Sequence, residues 1–203
     1  MNTSDQITAT IDGVEQSIPA TSTGFTLFAE KTVVALRVNG DLKDLAYPVA
    51  AGDVVEAVHI SSPDGLNILR HSAAHVLAQA VQTLNPEAKL GIGPPIKDGF
   101  YYDFDVDKPF TPEDLRALEK EMDRIIRSGQ RFLRRITNDD AATEELANEP
   151  YKLELIGLKS GTQDVGEASA EVGAGELTIY DNYDVKAEQV VWKDLCRGPH
   201  LPN

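Results

Sequence analysis

From residue 6 the chain alternates apolar and polar positions. QITATIDGVEQSIPA does so on both sides of Asp12-Gly13. Alternation is the period of a half-buried strand, and an Asp-Gly step between two such runs predicts a tight hairpin. A short helix is predicted near residues 26–31. VVALRVNG then reads as a strand ending at Asn39-Gly40, and AYPVAAGDVVEAVHI turns at Ala51-Gly52 into a last strand near residues 54–60. A strand pair, a helix and further strands predict a small ubiquitin-like β-grasp module. Residues 61–65, SSPDG, cluster turn formers and mark a linker, with Ser62 or Asp64 able to cap the helix that follows.

That helix, LNILRHSAAHVLAQAVQTL, has the clearest period in the chain. Leu66, Leu69, Ala73, Val76, Ala80 and Leu84 recur at steps of three and four and predict one core-facing stripe. At about 100° per residue, His71 and His75 fall on the opposite side, with Ala74, Ala78 and Gln82. GIGPP and the Asp98-Gly99 step bracket short strands. Thr111-Pro112-Glu113-Asp114 opens a second helix, buried through Leu115, Leu118, Met122 and Ile125, that stops at Ser128-Gly129. Residues 139–149 predict a short acidic helix, YKLELIGL a strand, and the glycine-rich residues 157–175 a mobile loop. ELTIYDNYDV and QVVWKDLC predict two closing strands. The expected class is α+β: a β-grasp domain over residues 1–61, and over residues 62–203 a larger domain with a helix packed on a mostly antiparallel sheet.

Charge narrows the partners. The 203 residues carry 19 basic and 33 acidic side chains, a net charge of −14. Phosphate contacts need Lys and Arg, so the chain does not read as an autonomous nucleic-acid binder. Residues 116–135, with seven basic and three acidic side chains, are the one local footprint for a polyanion, or else a solvated helix face. A single cysteine, Cys196, excludes an intrachain disulfide framework. No apolar run approaches the roughly 20 residues of a membrane span, and the N-terminus lacks a secretory pattern. A cytoplasmic protein with no membrane partner is the expectation.

Two short motifs carry chemistry. His71-x-x-x-His75 sets two imidazoles side by side on a helix, and Cys196-Arg197-Gly198-Pro199-His200 folds a thiol and an imidazole together at a turn. Each alone is a weak signal. Together they use three of the four histidines and the sole cysteine, a plausible tetrahedral set of three nitrogens and one sulfur. A Cys196–His200 nucleophile pair is the alternative, but it leaves the helix histidines idle. His59 is the leftover, read as structural.

HSAAH, IGPPIKDGFYYDFD and DLCRGPHLPN, in that order after a β-grasp module, resemble the N-terminal half of the threonyl-tRNA synthetases. The resemblance covers essentially the whole chain. It implies a TGS domain over residues 1–61 and an editing domain over residues 62–203, a deacylase module shared in looser form with alanyl-type relatives. It implies hydrolysis of mischarged seryl-tRNA(Thr). It further implies that His71, His75, Cys196 and His200 line the pocket and hold water, ribose hydroxyls or a metal. Lys152 would bind or activate the water, Asp194 would face the ammonium and hydroxyl of serine, and Tyr102 with the backbone near Gly93 would shape the pocket. For Lys152 and Asp194 the residues alone would favour ordinary surface charges. No cofactor is expected for editing; zinc in the His/His/Cys/His set is the open alternative, while ATP and a further zinc belong to the family's catalytic core outside these residues. The implied partners are the serine-charged acceptor end of tRNA(Thr), the rest of the synthetase chain and, for the full enzyme, a second copy of itself. A freestanding trans-editing deacylase and a non-catalytic metal-stapled binding module remain as other readings.

Overall fold

The computed structural model describes residues 5–159 and 176–203. The chain divides into two compact units, Met1–Leu69 with Gly198–Pro202, and Arg70–Arg197 with Asn203. The loop expected over residues 157–175 lies outside the described residues from residue 160 onward.

The first unit holds β1 (Gln6–Ile11), β2 (Val14–Pro19), α1 (Gly24–Leu27), β3 (Val33–Val38), β4 (Asp41–Asp44) and β5 (Val54–His59). They form one sheet in the order β2-β1-β5-β3-β4. β5 runs parallel to β1, with Thr10 opposite Val54, and every other pairing is antiparallel. The first hairpin turns where expected: Asp12 and Gly13 have φ of 47° and 79°, the left-handed pair that a two-residue hairpin with the twist of its strands requires. The alternation then delivers Ala9, Ile11, Ile18, Val33, Leu36, Val38 and Val55 to one core. The short helix comes earlier than expected, because Thr23 and Thr26 form a reciprocal capping box at its start and the chain is extended again by Phe28.

Helix α2 (Pro63–Leu84) begins at Ser62, whose Oγ accepts the Gly65 N–H at 3.1 Å and donates to the His59 carbonyl at 2.7 Å. Its burial differs from the single-stripe expectation. Leu66, Leu69 and Leu84 are exposed, whereas from Ala74 to Val81 every residue but Leu77 is buried. The helix is covered on two sides. Val76, Ala80 and Val81 pack on α3, while Gln79 and Gln82 bond to residues of the sheet.

The second unit continues through four two-residue strands, β6 (Lys89–Leu90), β7 (Pro95–Ile96), β8 (Gly99–Phe100) and β9 (Phe104–Asp105). Of these, β6 pairs with β9 and β7 with β8. Helix α3 (Pro112–Ser128) has the expected ends, a Thr111–Asp114 capping box and Gly129 at φ 69°. Leu118 and Ile125 are its buried residues; Leu115 is exposed. Next come β10 (Arg131–Thr137), α4 (Asp139–Glu145), α5 (Pro150–Lys159), β11 (Leu177–Asp184) and β12 (Gln189–Leu195). The order β10-β11-β12 is antiparallel throughout. The segment YKLELIGL is thus a helix and not a strand. Lys152, Leu155 and Ile156 are its buried residues, at the i, i+3, i+4 spacing of one helical face. With Ala142 and Leu146 of α4, Leu155 and Ile156 pack on Leu177, Ile179 and Leu195 of the sheet.

Candidate functional site

Asp194, near the end of β12, is the hub of the second unit. Its side chain is fully buried. Oδ1 accepts the Leu195 N–H at 2.8 Å and lies 3.0 Å from Nζ of Lys152, itself fully buried. Oδ2 accepts the Tyr102 hydroxyl at 2.7 Å and stands 3.8 Å from Nε2 of His75. Lys152 and Asp194 are therefore not surface charges; they are an ion pair shut away from water. Lys152 Nζ also lies 5.6 Å from the centre of the Tyr102 ring, which stacks on Phe104 at 4.8 Å. Gly93 makes that ring position possible. A Cβ built there would sit 2.2 Å from Cδ2 of Tyr102.

Helix α2 brings the two histidines to this hub. Their rings meet edge to face at 4.9 Å, His71 half-buried and His75 1% exposed. Burial first, then the charges of His71 and Lys152, holds the His75 imidazole well below its ordinary range, so it is neutral at physiological pH. Cys196 follows β12 and is buried; its N–H donates to the Thr178 carbonyl at 3.2 Å, and the Thr178 hydroxyl donates back to the Cys196 carbonyl at 2.5 Å. His200 lies four residues further on, and its backbone N–H donates to Asp44 Oδ1 at 3.1 Å. Within the second unit the ligand atoms of His71, His75 and Cys196 all lie within 4.8 Å of one another.

That donor set is the chemistry zinc takes. Tetrahedral bonds of about 2.0–2.3 Å would put the donors roughly 3.3–3.8 Å apart, so small side-chain movements would close the set around an ion. The same imidazoles and thiol offer hydrogen bonds to water or to a diol. The group that assembles in the second unit thus combines a buried cation, a buried anion, a phenol and a pair of imidazoles.

Elsewhere the expectations divide. Four of the seven basic side chains of residues 116–135 are paired with carboxylates. Arg116 pairs with Glu113, Arg124 with Glu121 at 2.5 Å and Arg127 with Asp123 at 3.0 Å. Arg135 binds Asp181 at 2.7 Å and also Glu145. Hydrogen bonding to Asp181, then to Glu145, raises the Arg135 pKa above its ordinary value despite partial burial. The solvated-face reading fits this stretch better than a polyanion footprint. His59 Nδ1 lies 3.2 Å from the Thr32 hydroxyl, within the first unit. Sequence reasoning passed over Trp192, Gln79 and Asn182, which touch the site's surroundings. The signal was available: Gln79 and Gln82 follow His75 at i+4 and i+7, on its own face of the helix.

No protein-family model matches the chain. Curated relatives do. The chain is 70% identical over 184 residues to the threonine–tRNA ligase of Leifsonia xyli subsp. xyli, covering 89% of the chain and 26% of the relative. Its relatives are threonine–tRNA ligases. The Streptomyces coelicolor ligase is 66% identical over 189 residues, with 93% of the chain and 29% of the ligase covered. The Pseudarthrobacter chlorophenolicus ligase is 58% identical over 205 residues, covering 100% of the chain and 31% of the ligase. The chain spans between about a quarter and a third of the length of these ligases, and corresponds to an N-terminal portion of them. Among the described residues no helix is long and apolar enough to cross a membrane.

Proposed function

We propose that this region proofreads for a threonine–tRNA ligase by hydrolysing the ester of seryl-tRNA(Thr). The observation that carries the reading is the convergence of Asp194 with Lys152, Tyr102 and the His71–His75 pair. Serine lacks one methyl group of threonine. A missing methylene is worth only about 1–3 kcal/mol to a synthetic pocket, so a ligase for threonine needs a second site that admits serine and excludes the larger residue. Asp194 would take the serine ammonium and hydroxyl, and Tyr102, seated against Gly93, would set the wall that rejects the extra methyl. Lys152 and the imidazoles would orient water and the ribose hydroxyls. Water adds to the ester carbonyl, the bond to the ribose oxygen breaks, that oxygen regains a proton, and free serine leaves.

Zinc held by His71, His75, Cys196 and His200 would polarise a carbonyl or water. A pocket that binds a ribose diol cannot spare all four groups for a closed metal site, so the reading assigns them to substrate and water. Residues 62–203 form the proposed editing domain. Residues 1–61, with their 2-1-5-3-4 strand order, form the proposed TGS-type β-grasp module. The acceptor end of tRNA(Thr), the remainder of the ligase and a second copy of it are the proposed partners, in the cytoplasm. The deciding experiment is release of serine from mischarged tRNA(Thr). His71→Ala and His75→Ala should each reduce it at least about ten-fold, and wild-type rates in both variants would end the reading.

A further inference from the structure

The site's buried imidazole is held by a chain of contacts in which no member would touch the substrate. His75, Gln79 and Gln82 lie at i, i+4 and i+7 on α2, hence on one face. Gln79 Oε1 accepts the Asn182 amide at 2.7 Å, and Gln82 Oε1 accepts the indole N–H of Trp192 at 2.7 Å. The Gln82 amide cannot turn over, because its Nε2 donates to Glu149 Oε1 at 2.6 Å and to the Ala88 carbonyl at 3.1 Å. Glu149 is tied in turn, its Oε2 accepting the Leu90 N–H at 2.8 Å. Across the sheet, Phe132, Asn182 and Trp192 stand directly opposite one another and form one row. The two aromatic ends of that row meet His75 edge to face, Trp192 at 5.6 Å and 88°, Phe132 at 6.4 Å and 78°.

From this geometry we infer that Gln82 and Trp192 are positioning residues for His75: the Gln82–Trp192 hydrogen bond fixes where α2 lies along β12, and so sets the imidazole against Asp194. The inference rests on the seryl-ester reading for its kinetic consequence. Trp192 and Asp194 are two residues apart on β12 and share one side of the sheet. A single strand therefore carries both the ring that boxes His75 and the carboxylate 3.8 Å from its Nε2. Apolar packing alone would hold the two layers together without choosing a position along the helix axis. Directional hydrogen bonds choose it, and a shift of about 1 Å in such a constellation costs up to about a hundred-fold in rate.

The test uses the full chain that carries these residues, with Gln82→Leu, Trp192→Phe, the double variant and Leu118→Ala. Leu118 packs in the same helical core and takes part in none of the hydrogen bonds above, so its variant measures the effect of lost core packing with that network intact. Each single positioning variant should lower kcat for serine release about ten- to hundred-fold while KM moves little. The double variant should fall no further than the worse single, as expected of two residues acting as one unit. Leu118→Ala should keep the wild-type kcat below its melting temperature. Wild-type kcat in the folded Gln82→Leu and Trp192→Phe variants, or losses that multiply in the double, would overturn the inference and leave the hydrolase reading standing. If the unaltered protein releases no serine, that reading falls, and the His75 ring resonances decide the inference separately. They move in Gln82→Leu if it holds and stay in place if it does not.

Discussion

The pair at the centre of the second unit offers a test with opposite signs built in. Lys152 Nζ and Asp194 Oδ1 are 3.0 Å apart and both side chains are fully buried. Removing one partner of such a pair strands the other charge, at a cost of about 3–5 kcal/mol. The stranded group has one escape, a proton. Protonating an ordinary aspartate at pH 7 costs about 4 kcal/mol, and deprotonating an ordinary lysine about 5 kcal/mol. Those figures cap the losses expected for Lys152→Met and Asp194→Asn. They also set the pH dependence. In Lys152→Met the folded state would hold a proton that the unfolded state gives up, so the deficit shrinks as pH falls, by about 1.4 kcal/mol per unit. In Asp194→Asn the folded state would lack a proton that the unfolded state binds, and the deficit shrinks as pH rises. Replacing both, as Lys152→Met with Asp194→Leu, should cost less than either single change. Trp192 is the sole tryptophan, so its fluorescence during urea unfolding reads all four proteins. Deficits under about 1 kcal/mol in both single variants, or the same pH trend in both, would show that this pair is not dry and that the burial argument is wrong.

Gly93→Ala should displace the Tyr102 ring, because the added Cβ would sit 2.2 Å from its Cδ2; a stability loss of about 1–3 kcal/mol is expected, and serine release should fall with it, whereas an unshifted Tyr102 in a crystal of the variant would contradict this. Acid should weaken the second unit through Glu145: its burial raises the pKa, but hydrogen bonds from Arg135 and Lys193 outweigh that and the net shift is downward. A lowered folded-state value means stability that is complete above about 4.5 and drains away as pH falls further, so Glu145→Gln should flatten the urea midpoint against pH in that window, and an unaltered slope would rule the network out as the cause. The substrate assignment of the His/His/Cys/His set predicts that chelation leaves both the fold and serine release intact. Stoichiometric zinc whose removal unfolds the chain would instead establish the metal-stapled reading.

What was legible in the sequence was whatever local chemistry dictates. Asp12-Gly13 turns because the hairpin needs two left-handed residues, and Thr111-Pro112 starts a helix because both ends of the capping box are within four residues. The HxxxH spacing put His71 and His75 together for the same reason. The failures came where distant parts of the chain decide. YKLELIGL alternates well enough to read as a strand, yet Lys152, Leu155 and Ile156 need one helical face to reach Asp194 and the sheet core. The stripe on α2 was misjudged because a periodicity argument assumes one covered side, and this helix has two. Burial of Lys152 was beyond any such argument, since only its partner 42 positions away makes it tolerable.

The closing strand explains why so much of the site depends on position along one element. Side chains alternate across a sheet, so Trp192, Asp194 and, one step beyond the strand, Cys196 fall on the same side. All three functional contacts of that side follow from a single register: Asp194 opposite Tyr180, Trp192 opposite Asn182, and Cys196 bonded through its backbone to Thr178. A slip of one residue would send all three to the other side, among Leu177 and Ile179. The pairing between β11 and β12 does shift register once, between Asn182 and Tyr183. From Asn182 to Ile179 the register is continuous, and polar contacts flank it, Gln79 of α2 on Asn182 at one end and the buried Thr178 hydroxyl on the Cys196 carbonyl at the other. Gln79 and Gln82, which follow His75 on one face of α2, thus reach β11 and β12 respectively, each through a directional bond that an apolar side chain could not make.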